Sequence, residues 1–198
     1  MTRVTEPGPD WRQRKKTATR GRIRASALRL FREQGYDATT VEQIAAAAGV
    51  SHMTFFRYFP AKEDVALSDD YDPLIASAIG QTPDTWPVIR RIRTVLVEGL
   101  RLIHDTDRDT LFDQIKLIVA TPALRDRLWA DQIATQRLIL QALGAGEDDP
   151  RRGFETRVTV AACLAAATTA ILVWVETGGT AELPDLVEQA FDTLARAR

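Results

Sequence analysis

The sequence predicts an all-α protein of about nine helices, with a small N-terminal three-helix head and a larger helical body. Three observations lead there. Apolar residues recur at helical spacing along nearly the whole chain. Alternating apolar and polar runs, the mark of strands, are almost absent beyond the first dozen or so residues. Gly or Pro punctuates the periodic stretches where helices must stop.

The elements follow in order. Residues 1–16 are polar and rich in Pro, Arg and Lys, and read as a flexible basic arm. Ile23, Ala27, Leu30 and Phe31 fall at i, i+4, i+7 and i+8, which predicts a helix over 18–34 closed by Gly35. Thr39 and Thr40 each stand three residues before Glu42 or Gln43, so either pair can form a capping box. Val41, Ile44, Ala45 and Ala48 then line one face of a short helix that ends at Gly49. Ser51 caps a second short helix over 52–58, which Pro60 terminates. A fourth helix is expected from Ala61 to about Ala78.

Downstream, the apolar stripes predict helices over 85–105, 109–120 and 122–143. GAGEDDPRRG (144–153) reads as a loop. A long apolar helix over 153–177 and a last amphipathic one over 184–197 complete the chain. Val158 to Val175 carries no charge over 18 residues, at the lower limit for a membrane span. Its many Ala and Thr residues make it a poor lipid-facing segment, and a helix buried on several sides in protein is expected instead, with no membrane partner.

Composition narrows the function. A lone cysteine, Cys163, excludes an internal disulfide, and the N-terminus has no apolar core of a secretory signal; a reducing, cytoplasmic setting is expected. The near-zero net charge hides an asymmetry. Residues 1–67 hold 12 Lys/Arg against seven Asp/Glu, whereas residues 68–198 hold 14 against 20. A basic head on an acidic body suits contact between the head and a polyanion. The sequence has no GxxxxGK or GxGxxG loop, no metal-spaced His/Cys set and no nucleophile–base pair, so no enzyme activity, metal or cofactor is expected.

The informative motif is VEQIAAAA–GVS–HMTFFRYF, two short helices joined by a tight turn containing Gly. That is the layout of a helix-turn-helix, whose second helix enters the DNA major groove. Phe55 and Phe59, with Val50, fall on the inner side of that helix and hold it to the core. His52, Met53, Thr54 and Arg57 are left outside, able to touch thymine methyls, base edges or phosphates, and Tyr58 can donate its hydroxyl to a phosphate. Lys62 sits in the first turn of a helix, where the macrodipole disfavours a cation and a phosphate would resolve the mismatch.

The stretch 19–64, with its LF…GYDATTVEQIA…AGVS…TFFRYFPAKED string, resembles the N-terminal domain of the TetR family of bacterial transcriptional regulators. The FFRYF variant is similar to the mycofactocin-type actinobacterial branch of that family. The resemblance implies a DNA-binding domain over 17–64 and a ligand-binding and dimerisation domain over 65–198. It implies DNA contacts from Thr40, Ser51, His52, Met53, Thr54, Tyr58 and Lys62; the basic residues Arg20 and Arg57 join them as candidates. Two positions depart from the family pattern. Phe56 stands where a phosphate-binding Tyr is usual, and Met53 stands where Gly is common.

For the body, a homodimer is expected through 153–177 and 184–197, with Ala161, Ala165, Thr168 and Leu172 as a close-packing stripe. The resemblance also implies an effector cavity among helices 85–143 and the long helix, with Trp86, His104, Phe112, Lys116, Trp129 and Trp174 as its candidate lining. Such a lining suits a small apolar or acyl-type effector carrying an acid. The expected function is a ligand-responsive repressor on a pseudo-palindromic operator of double-stranded DNA. The alternative is a helical interaction protein without DNA binding.

Overall fold

A computed structural model describes residues 9–67, 71–144 and 150–196. The chain divides into two compact units, residues 1–68 and residues 69–198. Among the described residues every regular element is helical: α1 (Pro9–Gln34), α2 (Val41–Ala47), α3 (His52–Tyr58), α4 (Lys62–Leu67), α5 (Tyr71–Gln81), α6 (Val88–Ala120), α7 (Pro122–Ala142), α8 (Pro150–Glu176) and α9 (Leu183–Arg196).

Several boundaries move relative to expectation. Residues 9–16, expected as part of an arm, are the first turns of α1, while residues 1–8 lie outside the described residues. Pro9 opens the helix because its missing N–H and fixed φ fit a first turn. The helix expected over 61–78 is represented by α4 and α5, with residues 68–70 outside the described set. The two helices expected over 85–105 and 109–120 are one, since HDTDRDT lacks apolar residues but also lacks any Gly or Pro to break the backbone. That helix starts later than expected, because Pro87 lies just outside it as the N-cap. Similarly, Pro150 starts α8 three residues before the expected position.

The N-terminal unit is built on a small core. Ile23, Ala27 and Phe31 of α1, Ile44 and Ala45 of α2, Phe55 of α3, Phe59, and Val65 and Ala66 of α4 are all buried, and α1 packs on α2 and α4. α4 packs on α1 and so belongs to this unit.

In the C-terminal unit α6 packs against α5, α7, α8 and α9. Ile92, Val97, Ile139, Val160, Cys163, Trp174, Val187 and Phe191 form its buried centre. Arg91 is also buried, and each nitrogen of its guanidinium has a partner. It donates to Thr82 Oγ1 at 2.7 Å and to the Ile79 carbonyl at 3.1 Å, and pairs with exposed Asp84 at 3.1 Å. This clip fixes the α5–α6 connection and meets the cost of desolvating a charge.

Candidate nucleic-acid interface

The turn between α2 and α3 sets the geometry. Gly49 has φ +64°, a left-handed conformation that a Cβ would strain. Its N–H donates to the Ala46 carbonyl (3.1 Å), and the next N–H, of Val50, donates to Ala45 (2.9 Å). These two bonds close α2 as a Schellman motif and reverse the chain within three residues. Ala45 and Ala48 are buried here, and their small side chains permit the close crossing of α2 and α3.

Both short helices are capped. Thr40, not Thr39, is the N-cap of α2: Gln43 N–H donates to Thr40 Oγ1 (3.3 Å), and Thr40 N–H donates to Gln43 Oε1 (2.9 Å). Thr39 is buried and donates its hydroxyl to the Gly35 carbonyl. Ser51 caps α3, its Oγ accepting from the Thr54 N–H at 3.1 Å. An N-cap is worth about 1 kcal/mol, whereas truncating a buried phenylalanine costs about 3–5 kcal/mol. Fully buried Phe55 and Phe59 therefore hold α3 in place, and Ser51 fixes where it begins.

α3 consequently presents two outer sides. On one, exposed His52 pairs through Nε2 with Glu42 Oε1 of α2 at 3.2 Å. The edge of Phe56 closes on the His52 ring (centroids 4.8 Å apart) and also on Phe55. The Phe56 phenyl group thus packs against the His52 ring. The Glu42 carboxyl is held below its ordinary value by its own backbone N–H, by the Thr40 hydroxyl and by His52. On the other side lie Ser51, Thr54, Arg57 and Tyr58. Met53 projects at the apex, 83% exposed, too open to be a core residue.

Two candidate cations have internal work. Arg20 Nη1 donates to the Tyr58 carbonyl (3.0 Å) at the C-terminus of α3, and its guanidinium lies 4.5 Å from the Phe59 ring centre. A cation there meets the negative end of the α3 dipole. Lys62 Nζ donates to the carbonyls of Tyr36 (2.9 Å) and Thr39 (3.1 Å) and sits over the Tyr36 ring. The unfavourable first-turn position of Lys62 is thus resolved by carbonyl oxygens and a π face within the head, leaving one of three ammonium protons for other partners. Asp64 accepts from the Ala61 N–H, and Glu63 accepts from the Tyr36 hydroxyl.

Sequence reasoning missed two relationships. Glu42 was not recognised as the partner of His52, which only the α2–α3 crossing brings together. The second is an open groove of about 470 Å³ between the N-terminal half of α1 and α3. Trp11, Lys15, Thr19 and Arg22 line it from α1, at spacings of four, four and three. That helical periodicity is present in the sequence, within residues 9–22 of α1.

In the body, the expected effector residues only partly converge. Phe112 meets Trp174 edge to face at 5.2 Å, and Trp174 is fully buried with its Nε1–H donating to the Ala181 carbonyl. Trp86 instead stacks beneath the Arg90 guanidinium, and Lys116 is exposed on α6. The side chains of His104 and Trp129 lie outside the described residues.

The two expected dimer helices differ. α9 turns Leu183, Val187 and Phe191 into its own subunit, and Arg93 of α6 clamps its Glu188 and Asp192. α8 keeps an apolar face outside: Phe154, Val158, Ala161, Ala165 and Val173 are exposed, while Thr168 and Leu172 are half-buried. The stretch Gly153–Glu176 is strongly apolar, and only a minor part of it is buried. By length and composition this helix could cross a membrane, but it packs against α6, α7 and α9.

A capped, glycine-jointed helix pair whose second helix keeps His52, Met53, Thr54 and Arg57 outward defines a helix-turn-helix DNA-binding head, in a chain whose second unit is helical. Residues 23–68 match the family described as bacterial regulatory proteins, tetR family, and residues 86–198 match the MftR C-terminal domain. The chain belongs to the TetR family of transcriptional regulators, with a C-terminal unit of the MftR type. It is 55% identical over 67 residues to the HTH-type transcriptional regulator TcmR of Streptomyces glaucescens, spanning 34% of this chain and 30% of that protein. It is 38% identical over 164 residues to an uncharacterized HTH-type transcriptional regulator of Mycobacterium tuberculosis, spanning 64% of this chain and 75% of that one. The fold matches SmeT, the repressor of a Stenotrophomonas maltophilia multidrug efflux pump (TM-score 0.58, 18% identity, 92% and 91% of the two chains). It also matches a TetR-family regulator from Streptomyces coelicolor (TM-score 0.58, 20% identity, 96% of each chain).

Proposed function

We propose that this regulator is a ligand-responsive repressor that binds a pseudo-palindromic operator as a homodimer. The observation that carries the reading is the outer surface of α3, where Met53 stands 83% exposed beside His52 and Thr54, although its helix is anchored by two buried phenylalanines. A rigid helix with an adaptable apolar tip and flanking hydrogen-bonding groups suits base edges and thymine methyls. Ser51, Arg57 and Tyr58, with Thr40 and the remaining proton of Lys62, would hold the sugar–phosphate backbone. Arg20 would act mainly through its hold on α3.

Two heads are needed, because one small head makes few phosphate contacts and binds weakly at physiological salt. The exposed apolar face of α8 supports pairing through the body. The effector is proposed to be a small apolar or acyl-type acid, bound near Phe112 and Trp174. Release follows only if the effector binds the DNA-competent and incompetent conformations unequally. A cytoplasmic location accords with this role.

Electrophoretic shift with fragments from upstream of the protein's own gene tests the reading. Retardation of particular fragments, relieved by acyl-type acids, is expected. Fragments left unshifted from low to moderate salt would reject DNA binding, and retardation insensitive to such acids would reject the effector class.

A further inference from the structure

We infer that the N-terminal turns of α1 form, with α3, a trough that seats the sugar–phosphate backbone of DNA flanking the base-reading site. This inference rests on the DNA-binding reading and assigns it a second contact surface. The trough is the open groove of about 470 Å³ between α1 and α3. Four cations line it, Lys15, Lys16, Arg22 and Arg57, and no carboxylate does among the described residues. The chain as a whole carries as many acids as bases within one charge, so this exclusion is local. Lys15, Lys16, Arg22 and Arg57 make no ion pair among the described residues, whereas Arg29 on the same helix pairs with Glu33.

The shape fits a strand. From Trp11 to Arg22 the α1 ridge extends about 16 Å at 1.5 Å per residue, the axial length of several successive phosphates. The facing wall carries Ser51, Thr54 and Tyr58; Ser51 Oγ donates to Thr54 Oγ1 at 2.9 Å, which leaves the Thr54 and Tyr58 hydroxyl protons for phosphate oxygens. This wall is also the side of α3 opposite to His52 and Phe56, so backbone and bases would be held by different sides of one helix. Trp11, nearly half exposed, lies under the Lys15 ammonium at the outer end, where it would abut the sugar edge.

The test is binding of the full chain to a mixed-sequence 40-base-pair duplex, followed by fluorescence anisotropy over a range of salt concentrations. The variant Lys15→Ala/Lys16→Ala/Arg22→Ala removes three cations from exposed positions and leaves the core untouched. Each phosphate contact contributes roughly 0.9 to the slope of log affinity against log salt, so the variant slope should be shallower by about two to three per bound head. Arg29→Ala, outside the trough, should leave the slope unchanged. In parallel, Trp11→Phe should abolish a DNA-induced change in tryptophan emission. If wild-type protein binds but the triple variant keeps its slope, the trough is refuted while DNA binding stands. If wild-type protein fails to bind any duplex at low salt, the DNA-binding reading itself falls.

Discussion

The Lys62 ammonium lies 2.9 Å from the Tyr36 carbonyl oxygen and 4.0 Å from the centre of the same residue's ring. One side chain thereby ties the start of α4 to the loop between α1 and α2. Two charge-assisted hydrogen bonds and a cation–π contact, discounted for partial exposure, are worth about 1–2 kcal/mol. Lys62→Met should lower stability by that amount in urea denaturation, even without DNA. An unchanged midpoint would show that the contacts are incidental.

The Tyr36 hydroxyl donates to Glu63 Oε1 at 2.8 Å, and its pKa is raised well above the usual 10.0, first by burial and then by Glu63. Because the folded value is the higher one, this contribution to stability is complete below about pH 10. It is lost as pH rises through the folded value. Ultraviolet titration should show one of the three tyrosines resisting ionisation past pH 10. Tyr36→Phe should remove that late step, and a single normal transition in wild-type protein would contradict the assignment.

Glu42 behaves in the opposite sense. Its folded pKa lies below the usual 4.5, through its own backbone N–H, then Thr40, with a contribution from His52. Its stabilising effect is therefore present above that value and disappears as pH falls through the folded one. Glu42→Gln should lower the melting temperature at pH 7 and have no effect at pH 2. A difference that persists at pH 2 would indicate a packing effect instead.

Gly179 has φ +68°, and a Cβ there would stand 2.8 Å from two Phe112 ring carbons. Phe112 cannot easily yield, since its ring abuts buried Trp174. Gly179→Ala should cost roughly 2 kcal/mol or more, from left-handed backbone strain together with the clash. Chemical denaturation measures it, and a loss under 0.5 kcal/mol would show that the turn adapts.

Val158 is half exposed on α8, so Val158→Arg should change the stability of an isolated chain by no more than about 0.5 kcal/mol. It places a charge within the proposed α8 pairing surface. Light scattering should report a monomer for this variant and a dimer for wild-type protein. A variant that remains dimeric would move the interface elsewhere.

The head was legible because its signals are local. Ser51, Gly49, Pro60 and the Phe55–Phe59 spacing each act within a few residues, and together they leave one arrangement for α2 and α3. What escaped depends on contacts across the chain. Arg20 looks like a DNA-facing cation until Tyr58 is brought beside it, and Glu42 has no visible partner until α2 crosses α3. The apolar stripe of α9 predicts burial but not against what; α6 and α8 cover it within the subunit. The N-terminal turns of α1 are hidden in the sequence because their many polar residues carry little apolar periodicity.

The central claim, that α3 reads DNA through His52, Met53 and Thr54, is tested most directly by selection from a randomised duplex pool. Wild-type protein should enrich two related half-sites in inverted orientation. Met53→Gly, a change at a side chain with almost no internal contacts, should enrich a different base at one position in each half-site while retaining the fold. No enrichment by wild-type protein, or identical preferences for the two proteins, would contradict the account.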